Sequence, residues 1–75
     1  MDENEVLDLR GLKCPLPALL TRRRLAALPA GATLRILTTD PLAVVDIPHM
    51  CGEDGHGLVE TRRAGDHDVF VICRS

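Results

Sequence analysis

At 75 residues, with 45% hydrophobic and 27% charged side chains, the chain has the composition of one small globular domain, read as residues 1–75 with a core over about 6–74. A formal net charge of −2 argues against non-specific nucleic-acid binding, and no direct nucleic-acid contact is expected. No apolar run approaches the ~20 residues of a membrane span, and Met1-Asp2-Glu3-Asn4-Glu5 is the opposite of a signal peptide, so the expected location is cytoplasmic.

The three cysteines, at positions 14, 51 and 73, form neither a disulfide framework nor a C-x-x-C or structural-zinc pattern. No metal or organic cofactor is expected. Phe70 is the one aromatic residue, so the core must be aliphatic.

In chain order, Val6-Leu7-Asp8-Leu9 alternates as a short half-buried strand, and Arg10-Gly11 turns the chain. Pro15 suits the first position of a helix, where its missing N–H is no loss, which makes Cys14 the N-cap. The helix is expected over Pro15 to Leu28, closed by Leu28-Pro29-Ala30-Gly31, with Ala18, Thr21, Leu25 and Leu28 as its core stripe. Leu16 and Leu20 lie round the helix from Leu25. Together with Lys13 and with Arg22, Arg23 and Arg24 they form a candidate docking surface for an acidic partner or a phosphate backbone. A solvated basic face is the plainer reading of the arginines.

Ala32 to Thr38 is the second strand, with Leu34 and Ile36 facing the helices, and it pairs in parallel with the first through a right-handed crossover. Asp40-Pro41 then opens a brief turn. Because proline inside a helix costs about 3 kcal/mol, the second helix is expected to start near Asp46, just ahead of Pro48, and to run to about Asp54. Ile47, Met50 and Cys51 form its inner face, with Val44 packed beside them. Leu58 to Arg62 and Asp68 to Arg74 are strands joined by a turn at Ala64-Gly65-Asp66-His67. The order βαβαββ describes an α/β two-layer sandwich with two helices on one face of a four-stranded mixed sheet. Its other face, carrying Leu37, Val59, Val69 and Val71, is thinly protected, so the expected state is a monomer or weak self-association.

The chemistry points to Cys14. A thiol at a helix start faces free N–H groups and the positive end of the dipole, so its pKa is expected to fall. No base, oxyanion site, phosphate loop or metal constellation accompanies it. A nucleophilic sulfur alone on a carrier-sized domain can accept sulfur as a persulfide and pass it on. A small buried thiol is the structural alternative. Cys51 is expected to be a core thiol with a secondary redox or sulfur-handling role in reserve, and His56 either caps the second helix or assists a partner complex.

The segment Leu7-Asp8-Leu9-Arg10-Gly11-Leu12-Lys13-Cys14-Pro15-Leu16-Pro17 resembles the TusA/SirA-like sulfur-carrier family, whose hallmark is Cys-Pro-x-Pro. The likeness continues through Leu28-Pro29-Ala30-Gly31, Thr39-Asp40-Pro41, Asp46-Ile47-Pro48, Cys51 and Gly55-His56 to Phe70-Val71-Ile72. It implies sulfur acceptance and donation at Cys14, with Pro15 and Pro17 shaping the helix start. It further implies a cysteine desulfurase or rhodanese-type sulfur donor and a downstream acceptor protein. The relay would serve tRNA thiolation, molybdenum-cofactor synthesis or sulfur oxidation, while some relatives are linked to selenium metabolism or gene regulation. Two segments depart from many relatives: His49-Met50 precedes Cys51 where an aromatic is common, and the last strand ends in Cys73-Arg74 rather than a basic pair. Two other functions stand against the carrier: a non-catalytic interaction or regulatory module, and a thiol redox switch between Cys14 and Cys51.

Overall fold

The structure, a computed structural model, describes residues 4–75, so Met1, Asp2 and Glu3 of the acidic opening lie outside the described residues. Strands β1 (Asn4–Asp8), β2 (Thr33–Thr38), β3 (Gly57–Ala64) and β4 (His67–Cys73) form one sheet in the order β1-β2-β4-β3. Helices α1 (Leu16–Ala27) and α2 (Ala43–Asp54) follow β1 and β2, which gives the expected βαβαββ order. β1 and β2 are parallel, while β4 is antiparallel to both of its neighbours.

Alternation along the strands builds the core. Leu34 and Ile36 of β2 stand directly opposite Ile72 and Phe70 of β4, and all four side chains are fully buried. They meet Leu25 of α1 and Ala43, Ile47, Met50 and Cys51 of α2. At about 25 cal/mol per Å² of apolar surface, this aliphatic cluster around Phe70 is the main source of stability.

The first helix starts one residue later than its sequence indicates. Pro15 has φ −97° and ψ 12°, outside helical geometry, and the helix runs from Leu16 with Pro17 in its first turn. Its buried line is Pro17, Thr21 and Leu25, with Ala18 and Leu28 partly buried beside it. Leu20 also packs against the core, because three residues of helix set it only about 60° from Pro17. Leu20 is therefore half-buried against the core, and the exposed leucines of α1 are Leu16 and Leu19.

The second helix starts three residues earlier than expected, at Ala43, and includes Pro48. Its entry is built by Asp40: its carboxylate accepts from the Leu42 N–H at 3.1 Å and its carbonyl from the Ala43 N–H at 3.0 Å. Beginning at Ala43 puts Ala43, Ile47, Met50 and Cys51 on one inward stripe, and packing of that stripe outweighs the bond lost at Pro48. The earlier start also turns Val44 outward, contrary to its expected packing, and Val45 with it.

The β3–β4 hairpin is tighter than anticipated. Ala64 pairs with His67, leaving Gly65 and Asp66 as a two-residue turn, and the φ of +67° at Gly65 suits a glycine-first turn. A bulge between Leu58 and Glu60 breaks the β3 register. The outer sheet face is covered along β4, while Val6 on β1 and Val59 on β3 stay exposed, as expected for Val59. Val69 and Val71 are buried, because β4 lies inside the sheet with Leu37 and Arg35 opposite them on β2 and Arg62 and Glu60 on β3. Long charged side chains lay their apolar stems over such positions.

Candidate functional site

The loop from Leu9 to Pro15 leaves the C-terminal end of β1 and runs along the rim shared with β2. It is pinned there by the Leu9 N–H donating to the Leu37 carbonyl and the Gly11 N–H donating to the Thr39 hydroxyl, both at 2.8 Å. Gly11 has φ +88°, a left-handed conformation that suits a residue without Cβ. The loop delivers Cys14 to the start of α1, exposed and with a free thiol. The Cys14–Pro15 peptide bond is cis.

Cys14 borders an open groove of about 260 Å³ along the seam between the helices. One wall is Pro15, Ala18, Leu19 and Arg22, and the other is Asp46, His49, Met50 and Glu53. Each set has the spacing i, i+3, i+4, i+7, so each is one ridge of a helix. At the far end Arg22 donates through Nε to Asp54 at 2.7 Å and through Nη2 to Glu53 at 3.0 Å. His49 faces Glu53 at 3.4 Å.

The hydrogen-bond partner of the thiol is Asp46. Cys14 Sγ donates a hydrogen bond to Asp46 Oδ2 at 3.1 Å. Asp46 lies in the first turn of α2, where the dipole favours a carboxylate. The consequence reverses the expectation for Cys14. Its pKa is raised above the ordinary thiol value, first by the hydrogen bond to Asp46, then by lost hydration and by the charges of Asp46 and Asp40. The helix start offers little to offset this, because Pro15 and Pro17 have no N–H and the Leu16 N–H donates to the Lys13 carbonyl at 2.9 Å.

The other sequence candidates separate. Lys13 is exposed on a second depression, with Gly11, Leu12, Thr39, Asp40, Pro41 and Leu42. Buried Asp40 has one carboxylate oxygen, Oδ2, without a hydrogen-bond partner. The three arginines do not make one patch, since successive helical residues point about 100° apart. Arg22 reaches α2, Arg24 pairs with Glu5 of β1, and Arg23 is exposed between them.

Cys51 is 2% exposed in the core, and burial raises its thiol pKa. Its neighbour Met50, not Cys51 itself, lines the groove. His56 follows the opposite end of α2, roughly 15 Å of helix from Asp46, where its Nδ1 accepts from the Ser75 N–H at 3.2 Å. It belongs to the closure of the C-terminal segment rather than to the Cys14 groove.

Sequence reasoning missed Asp46, Leu19 and His49 as groove residues. The two i, i+3, i+4, i+7 ridges were readable, but their juxtaposition depends on how α1 and α2 pack.

Comparison with known proteins bears on the family and the fold. A family model described as sulfurtransferase TusA matches residues 5–74. The sulfur carrier protein TusA of Allochromatium vinosum is 35% identical over 74 residues, spanning 99% of this chain and 97% of that protein. A putative sulfur carrier protein of Neisseria meningitidis serogroup A is 42% identical over 70 residues, 92% of this chain and 90% of that one. Among solved structures, a SirA-like protein from Desulfitobacterium hafniense shares the fold with a TM-score of 0.82 at 21% identity, covering 92% of this chain and 95% of that chain. The chain therefore belongs to the TusA/SirA-like family of sulfur-carrier sulfurtransferases.

Proposed function

We propose that Cys14 is the residue on which this sulfurtransferase carries sulfur. The observation that carries the reading is accessibility: Cys14 is exposed at a groove, whereas Cys51 lies in the core and Cys73 is half-buried in β4. The transfer balances without an oxidant. Cys14 sulfur attacks the outer sulfur of a donor cysteine persulfide, a new S–S bond forms at Cys14, and the donor's own S–S bond breaks. The donor leaves as a thiol that takes the proton Cys14 gave up, and Cys14 carries the added sulfur. Delivery to the acceptor runs the same exchange in the other direction.

The donor is a protein of the cysteine desulfurase or rhodanese type and the acceptor a second protein, both docking over the groove and the exposed Leu16 and Leu19. The groove is too shallow to enclose a substrate, so recognition falls to whole-protein contact. The working compartment is the cytoplasm.

Incubation of the reduced chain with a desulfurase and cysteine tests this reading. Intact mass should rise by about 32 Da, one sulfur atom, and peptide mapping should locate the addition at Cys14. Addition at Cys51 or Cys73 with Cys14 unmodified, or no addition to folded protein from any persulfide donor, would overturn it.

A further inference from the structure

The pairing of Cys14 with Asp46 has a consequence beyond sulfur carriage, and it rests on Cys14 being the carrier. A carrier thiol is expected to be surrounded by cations, which favour the thiolate. The surroundings here are the reverse. Asp46 Oδ2 accepts a hydrogen bond from the Cys14 thiol at 3.1 Å, and Asp40 adds negative charge from the β2–α2 connection. Of the basic groups bordering the groove, the Arg22 guanidinium is engaged by Glu53 and Asp54, and His49 is turned to Glu53. Lys13 lines the other depression. The contact also joins the loop before α1 to the first turn of α2, across 32 residues of chain.

We propose that Asp46 is a positioning residue that holds the empty carrier as a hydrogen-bonded thiol at the mouth of the groove, so that sulfur uptake requires this pair to open. On opening, Cys14 sulfur bonds the outer sulfur of the donor persulfide anion as the donor's own S–S bond breaks, and the Cys14 proton passes to the departing donor sulfur, with no change in the overall redox state. The persulfide anion that results has no proton to donate, so the loaded carrier cannot remake the Asp46 bond. Empty and loaded forms thus differ at one specific contact.

The test follows Cys14 alkylation by iodoacetamide in the full chain as a function of pH, read on the Cys14 peptide, for wild type, Asp46→Asn and Glu60→Gln. Lowering a thiol pKa by one unit multiplies the thiolate about tenfold and cuts its intrinsic nucleophilicity about threefold, a net gain of about threefold. Asp46→Asn should therefore react faster than wild type near neutral pH, by about threefold for each unit that its profile is displaced to lower pH. Glu60→Gln, on the far strand β3, should superimpose on wild type. Coincident profiles for wild type and Asp46→Asn overturn the proposal.

Wild type alone supplies a second reading that needs no variant. Its Cys14 must titrate at higher pH in the native protein than in urea, and equal values overturn the proposal. Loading with inorganic polysulfide separates the two readings. Faster sulfur addition to Asp46→Asn than to wild type supports the clamp, and equal rates count against it. Failure of both proteins to take sulfur from polysulfide and from a desulfurase, with alkylation still sensitive to Asp46, would overturn the carrier reading and with it the gating of sulfur uptake, leaving only the thiol–carboxylate pair itself.

Discussion

Cys14 meets α2 from the solvent seam, at Asp46, whereas Cys51 belongs to α2 and faces the core beneath it. Both thiols are held above their ordinary pKa, and the causes differ in kind. For Cys14 the first cause is one carboxylate at hydrogen-bond distance, and for Cys51 it is loss of water. A carboxylate can be drawn away by a docking protein at little cost to the fold. Rehydrating Cys51 requires α2 to leave the sheet. Two cysteines that look equally quiet at rest therefore differ in what can wake them, and only the first can be reached by a binding event.

The sharpest way to break this comparison is to remove each sulfur in turn. Cys14→Ala should abolish sulfur loading in the mass assay and leave the thermal transition nearly unchanged. Cys51→Ala should still load, while losing about 1–2 kcal/mol of stability from the emptied core volume, measured by urea unfolding. Equal loading by both variants would erase the distinction.

Alkylation of the native chain comes next in size. Cys14 should label at a rate that climbs with pH, and Cys51 should stay unlabelled until urea is added. The raised folded pKa of Cys51 also fixes a sign. Its contribution to stability is present below the unfolded thiol pKa and is lost as pH rises through the folded value. Cys51→Ala should accordingly show a flatter alkaline decline in unfolding midpoint than wild type.

A smaller effect concerns α1, which presents the Cys14 loop. Thr21 is fully buried and its hydroxyl has no hydrogen-bond partner. Thr21→Val keeps the shape and removes the stranded polar group, so stability should rise by about 1 kcal/mol. The Cys14 alkylation profile should not move.

The smallest effect is at the end of β1. Arg10 hydrogen-bonds the Asp8 carboxylate through its side chain and backbone and holds its pKa down to about 2. Carbon-detected NMR titration should find that value. This exposed pair adds its support above the unfolded carboxylate pKa and loses it as pH falls through about 2.

Much of the architecture was legible because it is written in local chemistry. Leu34, Ile36, Phe70 and Ile72 alternate as core strands must, and Gly11 with Cys14-Pro15 marks the strand-to-helix turn. The site was legible only to the extent of naming the sulfur. Its chemical state was misread, because the helix dipole is a local inference and Asp46 is a long-range neighbour. The arginine run was legible only in part: all three are exposed, as a solvated face requires, but three adjacent letters point in three directions once wound into α1, and of the three only Arg22 lines the groove. At Pro48 the local penalty was weighed correctly, but the tertiary gain from Ala43, Ile47, Met50 and Cys51 exceeded it.

The bulge in β3 has its own bearing on how such a protein meets others. β3 is an edge strand carrying Glu60, Arg62 and Arg63, and the irregularity between Leu58 and Glu60 interrupts its ladder. A bent, charged edge is a poor template for a neighbouring strand. A messenger that must be handed between two different proteins has most to lose from pairing with its own kind. Here the β3 edge is spoiled for such pairing, while the seam between the helices lies open beside Cys14.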